Sequence, residues 1–198
     1  MNKRLFFALN ATDPLAKSFL PFQKKLRIGA DRKDIEMKWT FPENFHVTVT
    51  FLGERNESEL PALEEALKSV CSQYTPFDLK IEDIGAFPSE DQGRVLWLGV
   101  QNKKYLGQLK EALDQELTNK NLLDNKDDRV FSPHLTIGRF RNPHSAKDLI
   151  SPLKRKSFGK LHVQEVVLYE SKLHGAYPTY TPLFRCSLTG INSISETL

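Results

Sequence analysis

Phe45-His46-Val47-Thr48-Val49-Thr50-Phe51-Leu52-Gly53 has a counterpart later in the chain, Pro133-His134-Leu135-Thr136-Ile137-Gly138-Arg139-Phe140. Each carries His, an aliphatic residue, Thr and a second aliphatic residue in that order, and the histidines, at 46 and 134, stand 88 positions apart. The β-branched and aliphatic content of both reads as strand. Residues two apart on a strand share a face. His46 and Thr48, and likewise His134 and Thr136, therefore project to one side, while Val47/Val49 and Leu135/Ile137 project to the other. Two such strands side by side put two imidazoles and two hydroxyls into one cleft above an apolar layer. A lone His-x-Thr is an ordinary structural feature; two copies in matched strand settings point to a site.

Around these strands, extended and helical patterns alternate with no low-complexity linker. Lys3 to Leu9 reads as a buried first strand. Thr12-Asp13-Pro14 supplies a helix start, with a capping side chain and a proline where its missing N–H costs nothing. Leu15, Phe19, Phe22 and Leu26 follow at helical spacing, and Pro21 predicts a kink or division. Lys38 to Thr40 is extended. Ser58 to Tyr74 and Lys103 to Thr118 are amphipathic helices, carried by Leu60, Leu63, Leu67 and Val70 and by Leu106, Leu109, Leu113 and Leu117. Further strands are predicted over Phe77 to Ile84, Arg94 to Val100, Phe131 to Phe140, Leu161 to Ser171 and Thr181 to Leu188. A short helix is predicted over Ser145 to Leu153, and a solvated polar loop over Asn119 to Arg129. Regular βαβ repetition is missing, so the pattern predicts an α+β fold with antiparallel sheets.

Length and composition bound the function. At 198 residues the chain has the size of one domain or two small lobes. Its 28 Lys+Arg against 25 Asp+Glu leave a charge of +3, which permits a nucleic-acid partner without requiring one. With 39% hydrophobic and 27% charged residues, a packed core is available and wholesale disorder is excluded. Two cysteines, Cys71 and Cys186, make neither a disulfide framework nor a four-cysteine zinc site, and the default is a reducing compartment. The apolar run Leu5 to Leu9 after Lys3-Arg4 is shorter than a signal-peptide core, and no stretch approaches the ~18 apolar residues of a membrane span. The expectation is a soluble cytoplasmic monomer.

The quartet His46, Thr48, His134 and Thr136 suits phosphodiester chemistry. Two imidazoles, one neutral and one protonated, form an acid/base pair near neutral pH, each worth about 10²–10⁴-fold. Hydroxyls donate to phosphate oxygens. Proton transfer at both ends of an in-line displacement removes the strict need for a metal, and no third His, Cys or carboxylate stands at familiar zinc-ligand spacing. Arg139, at an odd offset from His134, faces away on a regular strand unless a bend at Gly138 returns it toward phosphate; the alternative is a surface ion pair. Phe51, at the same odd offset from His46, reads as core first, with base stacking as the lesser alternative. Arg94 is either a phosphate or ribose contact or a strand-end charge. Phe87 and Trp97 are candidates to stack on a base, although Trp97 alternates with Leu96 and Leu98 and reads as core. Lys154-Arg155-Lys156 is either an RNA-steering run or an exposed helix end. His144, His162 and His174 lack a Thr two residues on and read as ordinary surface or strand residues.

The paired His-x-Thr segments resemble those of the two-histidine (2H) phosphoesterase superfamily, and the surrounding text resembles the LigT-like RNA 2′,3′-cyclic phosphodiesterases, also called 2′-5′ RNA ligases. The resemblance extends over Arg4-Leu5-Phe6-Phe7-Ala8-Leu9, Trp39-Thr40, Thr50-Phe51-Leu52-Gly53, Gly85-Ala86-Phe87-Pro88, Arg94-Val95-Leu96-Trp97 and Ser132 to Arg139, most of the chain in the right order. It implies one bilobed domain over residues 1–198, with two antiparallel sheets, outer helices and a central cleft. It also implies hydrolysis of a terminal 2′,3′-cyclic phosphate to a 2′-phosphate without a cofactor, with weak reverse 2′-5′ ligation. By the resemblance alone, His46 is the proton donor, His134 the proton acceptor, and Thr48 and Thr136 hold the phosphate oxygens; the near-symmetry of the motifs does not assign acid and base. The rival readings are the same chemistry on a small cyclic nucleotide or an ADP-ribose cyclic phosphate, and an RNA-end-binding module without turnover.

Overall fold

The computed structural model describes residues 1–11, 13–123, 130–174 and 177–190. Its strands are β1 (Asn2–Asn10), β2 (Met37–Trp39), β3 (His46–Asn56), β4 (Phe77–Phe87), β5 (Gly93–Val100), β6 (His134–His144), β7 (Ser157–Val163), β8 (Glu165–His174) and β9 (Tyr177–Ser187). The helices are α1 (Asp13–Asp31), α2 (Leu60–Cys71), α3 (Lys104–Asn119) and the single turn α4 (Lys147–Ile150). The strands form one nine-stranded antiparallel sheet in the order β7-β4-β5-β6-β3-β1-β8-β9, with β2 added to β6. The two expected sheets are the halves of this sheet, β7-β4-β5-β6 and β3-β1-β8-β9. Among the described residues their only register pair is Val47 with Leu135, the aliphatic residues of the two motifs.

The sheet cannot be flat. Gln164 alone connects β7 to β8, yet five strands lie between them in the order. At ~4.8 Å per strand, six spacings of a flat sheet separate them by ~29 Å, against ~7 Å for the two Cα steps from Val163 to Glu165. The sheet therefore curls until they meet. This break overturns the single strand predicted over Leu161 to Ser171. Leu161, Val163, Val166 and Leu168 are all buried in the core, and their two-residue period slips by one at Gln164-Glu165, where the chain crosses from one half to the other.

The back of the sheet carries the core. Leu5, Phe7 and Leu9 of β1, Val47 and Val49 of β3, Leu96 and Leu98 of β5, and Leu135 and Ile137 of β6 belong to one buried cluster with the inner faces of the helices. Helices α2 and α3 pack against each other and reach β3, β8 and β9; α1 packs on β7 and α4. Helix α1 runs undivided through Pro21, so the predicted division does not occur. Pro21 and Lys17, whose carbonyl loses its intrahelical partner, both lie on the exposed face of the helix. The predicted Thr12 cap and the loop over Asp124 to Arg129 lie outside the described residues. No described helix is long and apolar enough to cross a membrane.

Candidate active site

The junction of the two halves is also where the motifs meet. Val47 and Leu135 pair antiparallel with both side chains fully buried. Extending that register by one residue each way sets His46 across from Thr136 and Thr48 across from His134, on the opposite face of the sheet. Each imidazole thus faces the hydroxyl of the other motif. All four side chains are half-buried, while Val47, Val49, Leu135 and Ile137 are buried, the alternation that the sequence predicts.

Both imidazoles are fixed in the same way. His46 Nδ1 lies 2.7 Å from the Asn44 carbonyl oxygen, and His134 Nδ1 lies 2.8 Å from that of Ser132. A carbonyl only accepts, so each Nδ1 carries the proton and donates, which leaves each Nε2 free for proton exchange. Asn44 ends a short 3₁₀ turn, Pro42–Asn44, which the Phe45 N–H closes by donating to the Pro42 carbonyl, and the Phe45 carbonyl accepts from the Ala11 nitrogen at 2.9 Å. Among the described residues neither Thr48 nor Thr136 spends its hydroxyl on a protein partner, so both can donate outward.

Burial lowers the pKa of both histidines. His46 is pushed down to about 4, with the His46–Asn44 hydrogen bond opposing and the charges of His134 and Arg139 adding to the effect. His134 is lowered by burial and by Arg139, against its bond to Ser132. In the empty cleft both are neutral at pH 7.

Each motif strand contains a β-bulge one residue after its threonine. Ala8 pairs with Thr48 and Phe7 with Thr50, so Val49 is the extra residue on β3. Trp97 pairs with Thr136 and Leu96 with Gly138, so Ile137 is the extra residue on β6. A bulge reverses the face of everything beyond it. Arg139, opposite Val95, comes onto the side of His134 and Thr136. Phe51 comes onto the side of His46 and Thr48 opposite Phe6, with its ring 5.8 Å from that of Phe6. The expectation that Phe51 is core is wrong: it is 63% exposed. Arg139 has no ion-pair partner among the described residues.

Aromatic rings wall the histidines on both sides. Phe87 lies edge-on to His134 at 4.9 Å and 5.2 Å from Trp97, whose indole covers Gly85 so closely that a Cβ there would sit 2.3 Å from it. Trp97 is half-buried on the site face instead of in the core. Phe6 and Tyr180 lie 5.2 and 5.0 Å from His46. Tyr180 escapes a sequence reading, because only the sheet order β9-β8-β1-β3 carries it there. A pocket of about 500 Å³ beside Thr48 and His134 is lined by Phe51, Phe87, Phe131 and Lys110 among others.

Other candidates stand apart. Arg94 is exposed and alternates with Val95 and Trp97, on the side of Leu96 and Leu98, so the structure does not bring it to the quartet. Lys154 pairs with Glu90, and Lys156 lies 4.9 Å over the ring of Phe22 in α1, away from the cleft. His162 bonds Asp78 at 2.7 Å, and His144 stacks on Phe140; the side chain of His174 lies outside the described residues. Among the described residues no three His, Cys, Asp or Glu side chains gather into a metal-binding group.

Comparison with known proteins places the chain in a family. The chain is 35% identical over 182 residues to an RNA 2′,3′-cyclic phosphodiesterase of Archaeoglobus fulgidus, covering 91% of this chain and 97% of that one. It is 32% identical over 186 residues to a namesake from Methanothermobacter thermautotrophicus, covering 92% and 97%. Among solved structures, a Thermus thermophilus protein superposes with a TM-score of 0.81 at 26% identity, over 96% of this chain and 100% of that one. E. coli LigT complexed with 3′-AMP superposes with a TM-score of 0.73 at 25% identity, over 96% and 99%. The model of the 2′-5′ RNA ligase superfamily matches residues 41–175, from just before the first motif to beyond the second, and the chain belongs to that superfamily.

Proposed function

We propose that this protein is an RNA 2′,3′-cyclic phosphodiesterase that opens a 3′-terminal cyclic phosphate to a 2′-phosphate, acting as a monomer and without a metal. The observation that carries the reading is the pair of imidazoles on opposite halves of one sheet, each with Nδ1 tied to a carbonyl and Nε2 free. His134 Nε2 takes a proton from water as its oxygen attacks phosphorus. The bond from phosphorus to the 3′ oxygen breaks, and that oxygen takes a proton from protonated His46 Nε2. Return of a proton from His134 to solvent and its uptake by His46 reset the site. Thr48, Thr136 and Arg139 receive the non-bridging oxygens, where charge builds up. Phe51 and Phe87 offer faces to the terminal base. Reversal of the same steps gives 2′-5′ ligation.

The relatives named RNA 2′,3′-cyclic phosphodiesterase support this substrate class over a small cyclic nucleotide. The test is incubation of a short RNA ending in 2′,3′-cyclic phosphate with EDTA present, then mass and phosphatase analysis of the end. The expected product has gained one water and carries a 2′-phosphate, and His46→Ala and His134→Ala each lose at least a hundredfold in rate. A 3′-phosphate product reverses the leaving group, and a near wild-type rate in either variant removes the two-imidazole mechanism.

A further inference from the structure

The site face does not end at the cleft. Arg4 alternates with Phe6 and Ala8 along β1, on the face opposite the buried Leu5, Phe7 and Leu9. Phe6 stacks on Tyr169 at 5.4 Å and meets Tyr180 edge-on at 5.2 Å, while Tyr180 touches His46 at 5.0 Å. Tyr180, packed over the buried Phe6 and Tyr169, therefore carries an aromatic ring from His46 toward the Arg4 end of the face. Two guanidiniums lie near that ring. Arg139 and Arg4 are both close enough to Tyr180 for their charges to favour its ionised form against the burial that opposes it.

Neither arginine has an ion-pair partner among the described residues. Glu54 stands opposite Arg4 in the β1–β3 register and forms no ion pair with it. Two other exposed arginines, Arg185 and Arg141, pair with Glu165 at 2.5 Å and Glu36 at 3.3 Å. On the other side of the cleft the one cation lining the pocket, Lys110, is neutralised by Asp114.

A nucleotide that ends in a cyclic phosphate continues into the strand only through its 5′ phosphate. In the reading proposed above the terminal base lies by Phe51 and Phe87, which leaves the Tyr180 side of the cleft for the rest of the strand. We infer that Arg4, with the hydroxyl of Tyr180, forms a second phosphate subsite that takes the phosphodiester immediately upstream of the terminal nucleotide, an assignment that rests on the reading of the cleft as an RNA-end site. Arg139 meets the reacting phosphate and Arg4 the next one, with Tyr180, resting on the buried Phe6, between them. Guanidinium is suited to this, since its planar donors match two phosphate oxygens at once.

The test uses a 5′-fluorescein diribonucleotide ending in 2′-phosphate, which is not turned over, and its twin whose one internucleotide linkage is a neutral methylphosphonate. Binding is read by anisotropy with the full-length protein. Wild type is expected to bind the charged linkage about three- to tenfold more tightly. Arg4→Ala is expected to bind both alike, and the slope of log affinity against log salt to fall by about 0.7, one single-strand phosphate contact. Arg4→Gln, which keeps most of the side-chain length, is expected to match Arg4→Ala. Equal binding of both probes by wild type, or a preference that survives both substitutions, overturns the subsite. Hydrolysis of the cyclic-ended dinucleotide by wild type is scored separately, so a failure of the chemistry and a failure of the subsite are distinct results.

Discussion

At the scale of single residues, the site sets a protonation problem that its substrate solves. Burial and the positive charge of Arg139 hold both imidazoles below their ordinary range, His46 at about 4, yet the chemistry needs one of them charged. A bound cyclic phosphate brings a negative charge to the same cleft and raises both pKa values. The pH dependence of kcat/KM reports the free protein and that of kcat the complex. Both profiles are expected to be bell-shaped, with the kcat/KM limbs below pH 6.5 and the kcat bell displaced to higher pH. Rate measurements from pH 4 to 9 at limiting and saturating substrate check this; coincident bells would mean that the substrate does not supply the missing charge. The sign for stability follows the same shifts. A histidine with a depressed folded pKa contributes fully above its unfolded value near 6.5, and the protein loses that contribution as pH falls toward 4.

Among elements, the two bulged strands do the positioning, and they mark the limit of what the sequence discloses. The His/Thr faces are legible because a period of two holds from His46 to Val49 and from His134 to Ile137. The next step is not. On β6, Gly138 after Ile137 is a signal for an irregularity that returns Arg139 to the site. On β3 the corresponding pair is Val49-Thr50, good strand formers with nothing to announce a bulge, so simple alternation puts Phe51 on the wrong face. What holds that stretch is a tertiary contact. Thr50 donates to Asp114 Oδ1 of α3 at 2.6 Å, Lys110 pairs with the other carboxylate oxygen, and Thr50 and Asp114 are both buried. Asp114→Ala leaves a buried hydroxyl and a largely covered ammonium without a partner and is expected to cost about 2–4 kcal/mol. Asp114→Asn keeps the acceptor for Thr50 and is expected to cost less. Urea denaturation of the two variants decides it, and equal losses would show that the Thr50 bond contributes nothing.

For the whole molecule, the halves join through little backbone and much core. The elements of each half are legible from periodicity, whereas their order in one curled sheet is not, because only a one-residue slip in the apolar period at Gln164-Glu165 marks the crossing and strand pairing is set by contacts distant in sequence. The single pair Val47–Leu135 would be a weak hinge on its own. Beneath it, however, one buried cluster runs from Leu5 and Leu168 in one half to Leu79, Leu98 and Leu161 in the other. Neither half can shed the other without exposing that surface, so the chain is expected to unfold in one step. Both tryptophans, Trp39 on β2 and Trp97 on β5, report the half that contains β6, while far-UV circular dichroism reports the whole sheet and the helices. Thermal melts by the two probes should coincide. Leu135→Ala, which opens a cavity at the junction and is expected to cost about 2–5 kcal/mol, should lower both midpoints together. If tryptophan fluorescence moves ahead of the circular dichroism in that variant, the halves unfold separately, and the cleft between them is held by the junction and not by the shared core.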